Sequence, residues 1–496
     1  MTEKEFYQAL RRGLGSAIVM LQNAQDKSIY RDIVLRCCLR DISYDWQSEG
    51  SKGYYLYQAI VALDEKDYFE PLIIKKFMSV CSDRLFFQLA DILHCYSHDG
   101  SKITDKAFCD KYNYFMDKNG RLSKRHSKDI DEGYQWDEVT YQLFFINGFY
   151  TFEHYAKNVG RILLKNPNSR KIYNLYDDWF FARAKNFFGE KKIDDFLEHA
   201  YEKSVAIKAL VDTLKSDKTD IEQTREERKK ISINYILQYT KEEISKNPPY
   251  KKVSRTMGYY KNVLLPPWFI NNISKDEFLE LAQITLHEKN ETIKALLLSL
   301  FRLERKPFPL DIAPLLEYTQ SDNELLAEAA IRCLQSFKDK RIHELAVQLL
   351  ETKGLDSSAL SLFRKNYKKS DDELIKKLIK KLSTIPHHVH SDIVCIYTHY
   401  RSANALPTLL HVYYKGICAF CREGIVRAMH HCKVLPDNVL MECLHDSNND
   451  IRNFAKRIIK KRKDKDIAIP PAFPTKKVAM LDVALDSIDS SNQNDE

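Results

Sequence analysis

The chain has 496 residues, with 77 Lys and Arg against 69 Asp and Glu, a formal charge of +8. It is 44% hydrophobic but carries only 14 glycines and 15 prolines, well under the usual ~7% and ~5%. That balance excludes global disorder, collagen-like or linker-like chains, and folds built on Gly-rich phosphate loops or β-meanders. Roughly 150 residues per domain would allow about three domains, and the mild positive charge permits anionic partners without requiring them.

In chain order, Thr2 and Glu5 have the spacing of a capping box that starts a helix. The apolar stretch 14–21 is short and no small-residue cleavage site follows it, so no secretory signal is expected. No window approaches 18 consecutive apolar residues, so no transmembrane helix and no membrane partner is expected. Eleven cysteines, an odd number scattered among apolar residues, fit reduced buried thiols in a cytoplasmic chain better than a disulfide framework.

Residues 1–246 are rich in Tyr, Phe and Trp and read as an irregular helical region. Asp41, Asp45 and Glu49 recur every four residues beside Tyr44 and Trp46. Such a ladder does acid–base work where its environments split the carboxyl pKa values; otherwise the turn at 47–50 satisfies helix-end amides. The polar stretch 120–134 reads as an exposed loop. Asp99-Gly100, Asn119-Gly120 and Asn147-Gly148 do not lie between alternating apolar runs, so no hairpin is expected and the chain reads as all-α. Residues 247–273 are a junction, because Pro248-Pro249 and Pro266-Pro267 break helices. Inside it, Lys251, Lys252, Arg255 and Lys261 interleave with Tyr259 and Tyr260, a mixture suited to phosphate contact and base stacking.

From Ser274 onward the helical pattern becomes regular. Ser274–Glu277, Ser321–Glu324 and Ser370–Glu373 each have capping-box spacing ahead of an apolar face. Behind Ser370, Leu374, Ile375, Leu378, Ile379 and Leu382 take one face and Lys376, Lys377, Lys380 and Lys381 the other. Segments starting at Asn290, Asn323, Leu355, His387, Gly416 and Asn449 recur at steps of 33, 32, 32, 29 and 33 residues, each followed by a shorter apolar segment. Helix pairs at such a period hide their apolar faces by stacking on their neighbours, the arrangement of an α-solenoid.

The segment DNELLAEAAIRCLQSFKDKRIHELAVQLLE (322–351) resembles a HEAT repeat, and NDIRNFAKRIIKK (449–461) is similar to the first helix of another. This HEAT-like character covers 274–463. In the first half, 30–60 and 146–163 resemble segments of uncharacterised bacterial HEAT-repeat proteins. The resemblance implies a bacterial, cytoplasmic HEAT/armadillo-like solenoid and carries over no catalytic residue. The tail 464–496 holds seven acids against three bases and reads as mostly disordered. Met480, Leu481, Leu485 and Ile488 make one short amphipathic segment in it, suited to a partner's groove or to the array's own.

Cys418 and Cys421, with His430, His431 and Cys432 nearby, have zinc-ligand chemistry. They fall within an apolar helical pattern of Ile417, Phe420, Ile425, Ala428 and Met429, however, so the reading is structural core and no metal or cofactor is expected. His387, His388 and His390 read as a helix-entry turn. Arg452, Lys456, Arg457, Lys460 and Lys461 crowd the last helix and form a basic patch alongside the lysines at 376–381. The chain contains no GxSxG, GxGxxG, GxxxxGK[ST] or HExxH. The resulting expectation is a non-enzymatic scaffold that binds a protein partner on a solenoid surface. The alternative is a nucleic-acid-binding protein using its basic faces, extending to a DNA-repair enzyme, since one family of DNA glycosylases uses a HEAT-like fold.

Overall fold

The computed structural model describes residues 2–44, 49–80, 82–117, 132–165, 178–215, 232–246, 265, 268–302, 306–356 and 358–462. These residues are overwhelmingly helical and include no β-strand. None of the described helices is long and apolar enough to cross a membrane. The chain divides into two compact units, one of Met1–Asp220 with Asp437–Glu496 and the other of Ile221–Pro436.

The first unit opens with α1 (Glu3–Arg12), α2 (Gly15–Asn23) and α3 (Ser28–Cys38). Its capping box forms as the spacing requires: Glu5 N–H donates to Thr2 Oγ1 at 3.3 Å and Thr2 N–H donates to the Glu5 carboxylate at 2.8 Å. There follow α4 (Gly53–Leu63), α5 (Lys66–Ser79), α6 (Asp83–His98), α7 (Lys102–Asp117), α8 (Glu132–Asn147), α9 (Phe149–Lys165), α10 (Asp178–Phe188) and α11 (Glu190–Tyr201), then α12 over 205–215. Helix α4 packs on α2, α3 and α6, and α6 in turn on α8. Much of the aromatic richness of this half packs inward: Phe144 meets Phe188 at 4.8 Å and Trp136 meets Tyr155 edge-on at 4.8 Å, while Phe187, against Phe145 at 4.7 Å, remains 37% exposed. Such contacts add to the ~1.5–3 kcal/mol from burying each large apolar side chain.

The two described members of the carboxylate ladder, Asp41 and Glu49, are both engaged in local structure. Glu49 accepts from Tyr44 N–H at 2.9 Å and from Lys52 Nζ at 3.0 Å, a fully buried ion pair that also holds the Arg11 carbonyl at 2.8 Å. Asp41 bends back onto Ser43, while Asp45 and Trp46 lie outside the described residues.

The second unit contains α13 (Ile233–Lys246), α14 (Trp268–Asn271), α15 (Lys275–His287), α16 (Glu291–Leu298), α17 (Ala313–Tyr318), α18 (Glu324–Leu334), α19 (Lys340–Lys353), α20 (Phe363–Asn366), α21 (Asp372–Ile379), α22 (His387–Tyr400), α23 (Leu406–Lys415) and α24 (Ala419–His431). A 3₁₀ turn, Ser358–Leu362, leads into α20. First helices pack each on the next: α16 on α18, α18 on the 3₁₀ turn before α20, α20 on α22, and α22 on α24. Second helices fill in behind, with α17 on α18, α19 on α20, α21 on α23 and α23 on α24. Hydrogen bonds repeat at the same offset. The Cys333 thiol donates to the Leu298 carbonyl at 3.1 Å and the Cys432 thiol to the Tyr397 carbonyl at 3.2 Å, each 35 residues back.

Two helix starts differ from the sequence expectation. The cap of α18 is Asn323, which accepts from Leu325 and Leu326 N–H, instead of Ser321. Helix α21 begins at Asp372 without the Ser370–Glu373 box, because both aspartates there have tertiary partners. Asp371 accepts from Lys368 N–H and meets His343, and Asp372 accepts from the Tyr367, Tyr397 and Ser402 hydroxyls at 2.8, 2.9 and 2.8 Å.

The chain ends its described course back in the first unit, with α25 (Asp437–Cys443) and α26 (Asn449–Arg462). Helix α25 packs on α2. Contact is so close that a Cβ on Gly15 would stand 1.7 Å from the Glu442 carbonyl oxygen, so only glycine fits. Ser447 N–H donates to the Gly13 carbonyl at 2.9 Å beside it. In sequence, the second unit thus lies between the two parts of the first.

Candidate functional site

In the second unit the stacking of α22 on α24 brings together residues that stand far apart in sequence. An isolated parallel bridge pairs Ile385 with Gly416, which sets the turn before α22 beside the turn before α24. Helix α22 starts at His387 behind Pro386. Helix α24 starts behind Cys418, whose sulfur caps it by accepting from Cys421 N–H at 3.4 Å. One ligand atom from each of His387, Cys418 and Cys421 then lies within 4.8 Å of the others, and His387 Nδ1 is 3.1 Å from Cys421 Sγ. A hydrogen bond from the Cys421 side chain, then one with His387, holds the Cys418 thiol well below the ordinary thiol range despite its burial. Cys418 at the N-cap and Cys421 in the first turn of α24 also stand where the helix field favours a thiolate.

His390 stands one turn further along α22 and is 1% exposed. Neither of its ring nitrogens has a hydrogen-bond partner. A Cβ on Gly416 would meet its Nε2 at 2.2 Å, so glycine is what admits the imidazole. Burial, with the nearby charges of Arg422 and His387, holds its pKa down to about 3, so the ring is neutral.

Sequence proximity had grouped the CxxC with the wrong histidines. His430 and His431 end α24, about 18 Å along the helix from Cys418 at 1.5 Å per residue, and both are exposed. Cys432 turns instead to the Tyr397 carbonyl. The core pattern there also needs correction at one position, since Phe420 is 58% exposed. His387, His388 and His390 are not a solvated turn: all lie in α22, with His390 buried and the half-buried His388 ring 3.5 Å from the Leu355 carbonyl.

A second cluster, without any sequence motif, lies inside the first unit where α4, α6, α8 and α10 meet. Arg183 Nη1 donates to Glu138 Oε2 at 2.7 Å, Gln142 Nε2 donates to Glu138 Oε1 at 2.5 Å, and the guanidinium lies 3.5 Å over the Tyr141 ring. Asp91 faces this pair. Burial first, and then the Glu138 charge, raise its pKa from 3.8 to about 7, against the pull of a Ser51 hydrogen bond and Arg183. His94, among the rings of Tyr54, His98 and Phe145, is held by burial at about 3. The arrangement can hold or release a proton near neutrality at Asp91. The only sequence trace of it is charge at positions of α6, α8 and α10 that otherwise read as apolar.

No protein-family model matches this chain. No curated protein matches it either.

The basic candidates fall into separate groups. Lys377 on α21 and Lys380 and Lys381 in the turn that follows it are exposed, while Lys376 is half-buried and paired to Glu373 at 2.9 Å. On α26, Lys456, Arg457, Lys460 and Lys461 are exposed. Arg452, grouped with them on sequence, is instead 7% exposed and spends its donors on the Asp446 and Ser447 carbonyls at 2.8 and 3.0 Å, which locks the turn before α26. The base-and-aromatic segment of Lys251, Lys252, Arg255, Tyr259, Tyr260 and Lys261 lies outside the described residues, as do Met480, Leu481, Leu485 and Ile488.

Proposed function

We propose that the protein is a scaffold: a HEAT-like array in its second unit that docks a protein partner on the outer faces of its helix pairs. The carrying observation is the ladder of first helices, each packed on the next, with thiol-to-carbonyl bonds recurring at the same 35-residue offset. Such repetition leaves a series of chemically similar outer faces, and a surface of that kind suits an extended polypeptide better than a small molecule. The exposed lysines at the end of α21 and in the turn after it give one of those faces a positive character that favours an acidic partner segment. Capture from a lysate of the native source after exhaustive nuclease treatment tests this. A protein retained in fixed stoichiometry supports the scaffold, and release of all bound material by nuclease opposes it.

A nucleic-acid reading has its own footing in α26, where four exposed bases share one helix. It predicts binding to duplex or single-stranded probes that falls with salt at a slope of several phosphate contacts, about 0.9 per contact on B-DNA. Absence of binding at low salt removes it.

A further inference from the structure

We propose that His387, Cys418 and Cys421 form a binding site for a thiophilic d¹⁰ cation, zinc in first place, that clips two neighbouring helix pairs together. Three ligand atoms of the right softness already lie within 4.8 Å of one another. A tetrahedral zinc with bonds of about 2.3 Å to sulfur and 2.0–2.1 Å to nitrogen needs ligand atoms roughly 3.5–3.8 Å apart, so small side-chain rotations close the shell. The backbone around the site is fixed before any ion arrives, by the Ile385–Gly416 bridge and by the packing of α22 on α24.

An independent observation points the same way. His390, on the same helix as His387 and one turn on, is buried with both ring nitrogens lacking a hydrogen-bond partner, which native interiors rarely leave without a reason. His390 lies outside the set of ligand atoms within 4.8 Å of one another, so its imidazole would serve by a hydrogen bond to a water that makes the fourth bond. Binding is balanced by release to solvent of whatever protons the two sulfurs still carry, leaving two thiolates and a neutral imidazole on a divalent ion with no net charge. Because the ligands come from the first turns of successive first helices, the ion would join one pair to the next. The proposal does not depend on the scaffold's partner.

The same cysteines could serve as a dithiol redox pair, and cobalt separates the two. The full chain, reduced and stripped of metal with a chelator, is titrated with Co²⁺ alone. The expected result is one equivalent bound, with thiolate-to-cobalt charge transfer and the intense d–d bands of a tetrahedral site, displaced by Zn²⁺. Cys421→Ser and His387→Ala, with folding checked by circular dichroism, are expected to weaken binding by more than about 100-fold, beyond what loss of an outer partner costs. His430→Ala with His431→Ala is expected to bind as the parent does. Failure of the folded parent to give the tetrahedral spectrum overturns the proposal. So does undiminished binding in Cys421→Ser or His387→Ala, or a Cys418–Cys421 disulfide that forms equally in His387→Ala without metal uptake in the parent.

Discussion

Asp91 and His445 show how single groups in the first unit set its pH response. Asp91 has its pKa raised from 3.8 to about 7, so between those values the unfolded chain releases a proton that the folded chain retains. Its contribution is present below about pH 4 and is lost as pH rises through 7. Asp91→Asn is therefore expected to stabilise the protein at pH 8 by on the order of 1–2 kcal/mol and to change little at pH 4, as read by denaturant midpoints. His445 runs in the opposite sense. Burial, with Arg452 beside it, lowers its pKa from 6.5 to about 4, so its share of stability is present above 6.5 and is lost as pH falls towards 4. His94, held near 3, adds to that acid limb. His445→Gln is expected to retain stability between pH 7 and 5 where the parent loses on the order of 1 kcal/mol. A pH profile parallel to the parent's would contradict either assignment.

Among the elements, what could be read from sequence divides by range. Thr2–Glu5 and Ser274–Glu277 close as capping boxes because every atom involved lies within four residues. Ser370–Glu373 has the same spacing and does not, since Asp371 and Asp372 are taken by His343 and by three hydroxyls from other segments. Asp372→Ala leaves those three buried hydroxyls without their acceptor and is expected to cost about 3 kcal/mol or more of stability, measured by urea titration; a loss under 1 kcal/mol would show that water replaces it. The candidate metal centre was half legible. The CxxC was visible, but its histidine stands 31 residues upstream and becomes its neighbour only when the start of one first helix is laid on the start of the next. The repeat step of 29 residues between His387 and Gly416 was the signal that could have joined them. The cluster around Asp91 had no such signal, because its four helices follow no common period. Gly15 supplies another prediction at this scale. Gly15→Ala places a methyl on the Glu442 carbonyl and is expected to undock α25 and α26, at a cost of about 1–3 kcal/mol for the overpacked contact. Hydrogen exchange over 437–462 should quicken while that of 324–400 stays as in the parent; unchanged exchange at 437–462 would contradict the fit.

For the whole molecule, the reading as an all-α chain rests on periodicity that pervades it, and the described residues contain no strand. What the linear reading did not give is that the last helix pair packs with the first helices, a contact over more than 400 residues of sequence whose closest approach is at Gly15. The most direct test of the proposed function changes the α21 face alone. Lys377→Glu, Lys380→Glu and Lys381→Glu alter exposed side chains on that helix and the turn after it, so folding should survive, and quantitative capture from a nuclease-treated lysate of the native source is compared with the parent protein. The scaffold predicts that at least one stoichiometric protein is lost from the triple variant while its melting temperature stays that of the parent. Identical captured proteins from both, or captured material that is nucleic acid alone, would contradict it.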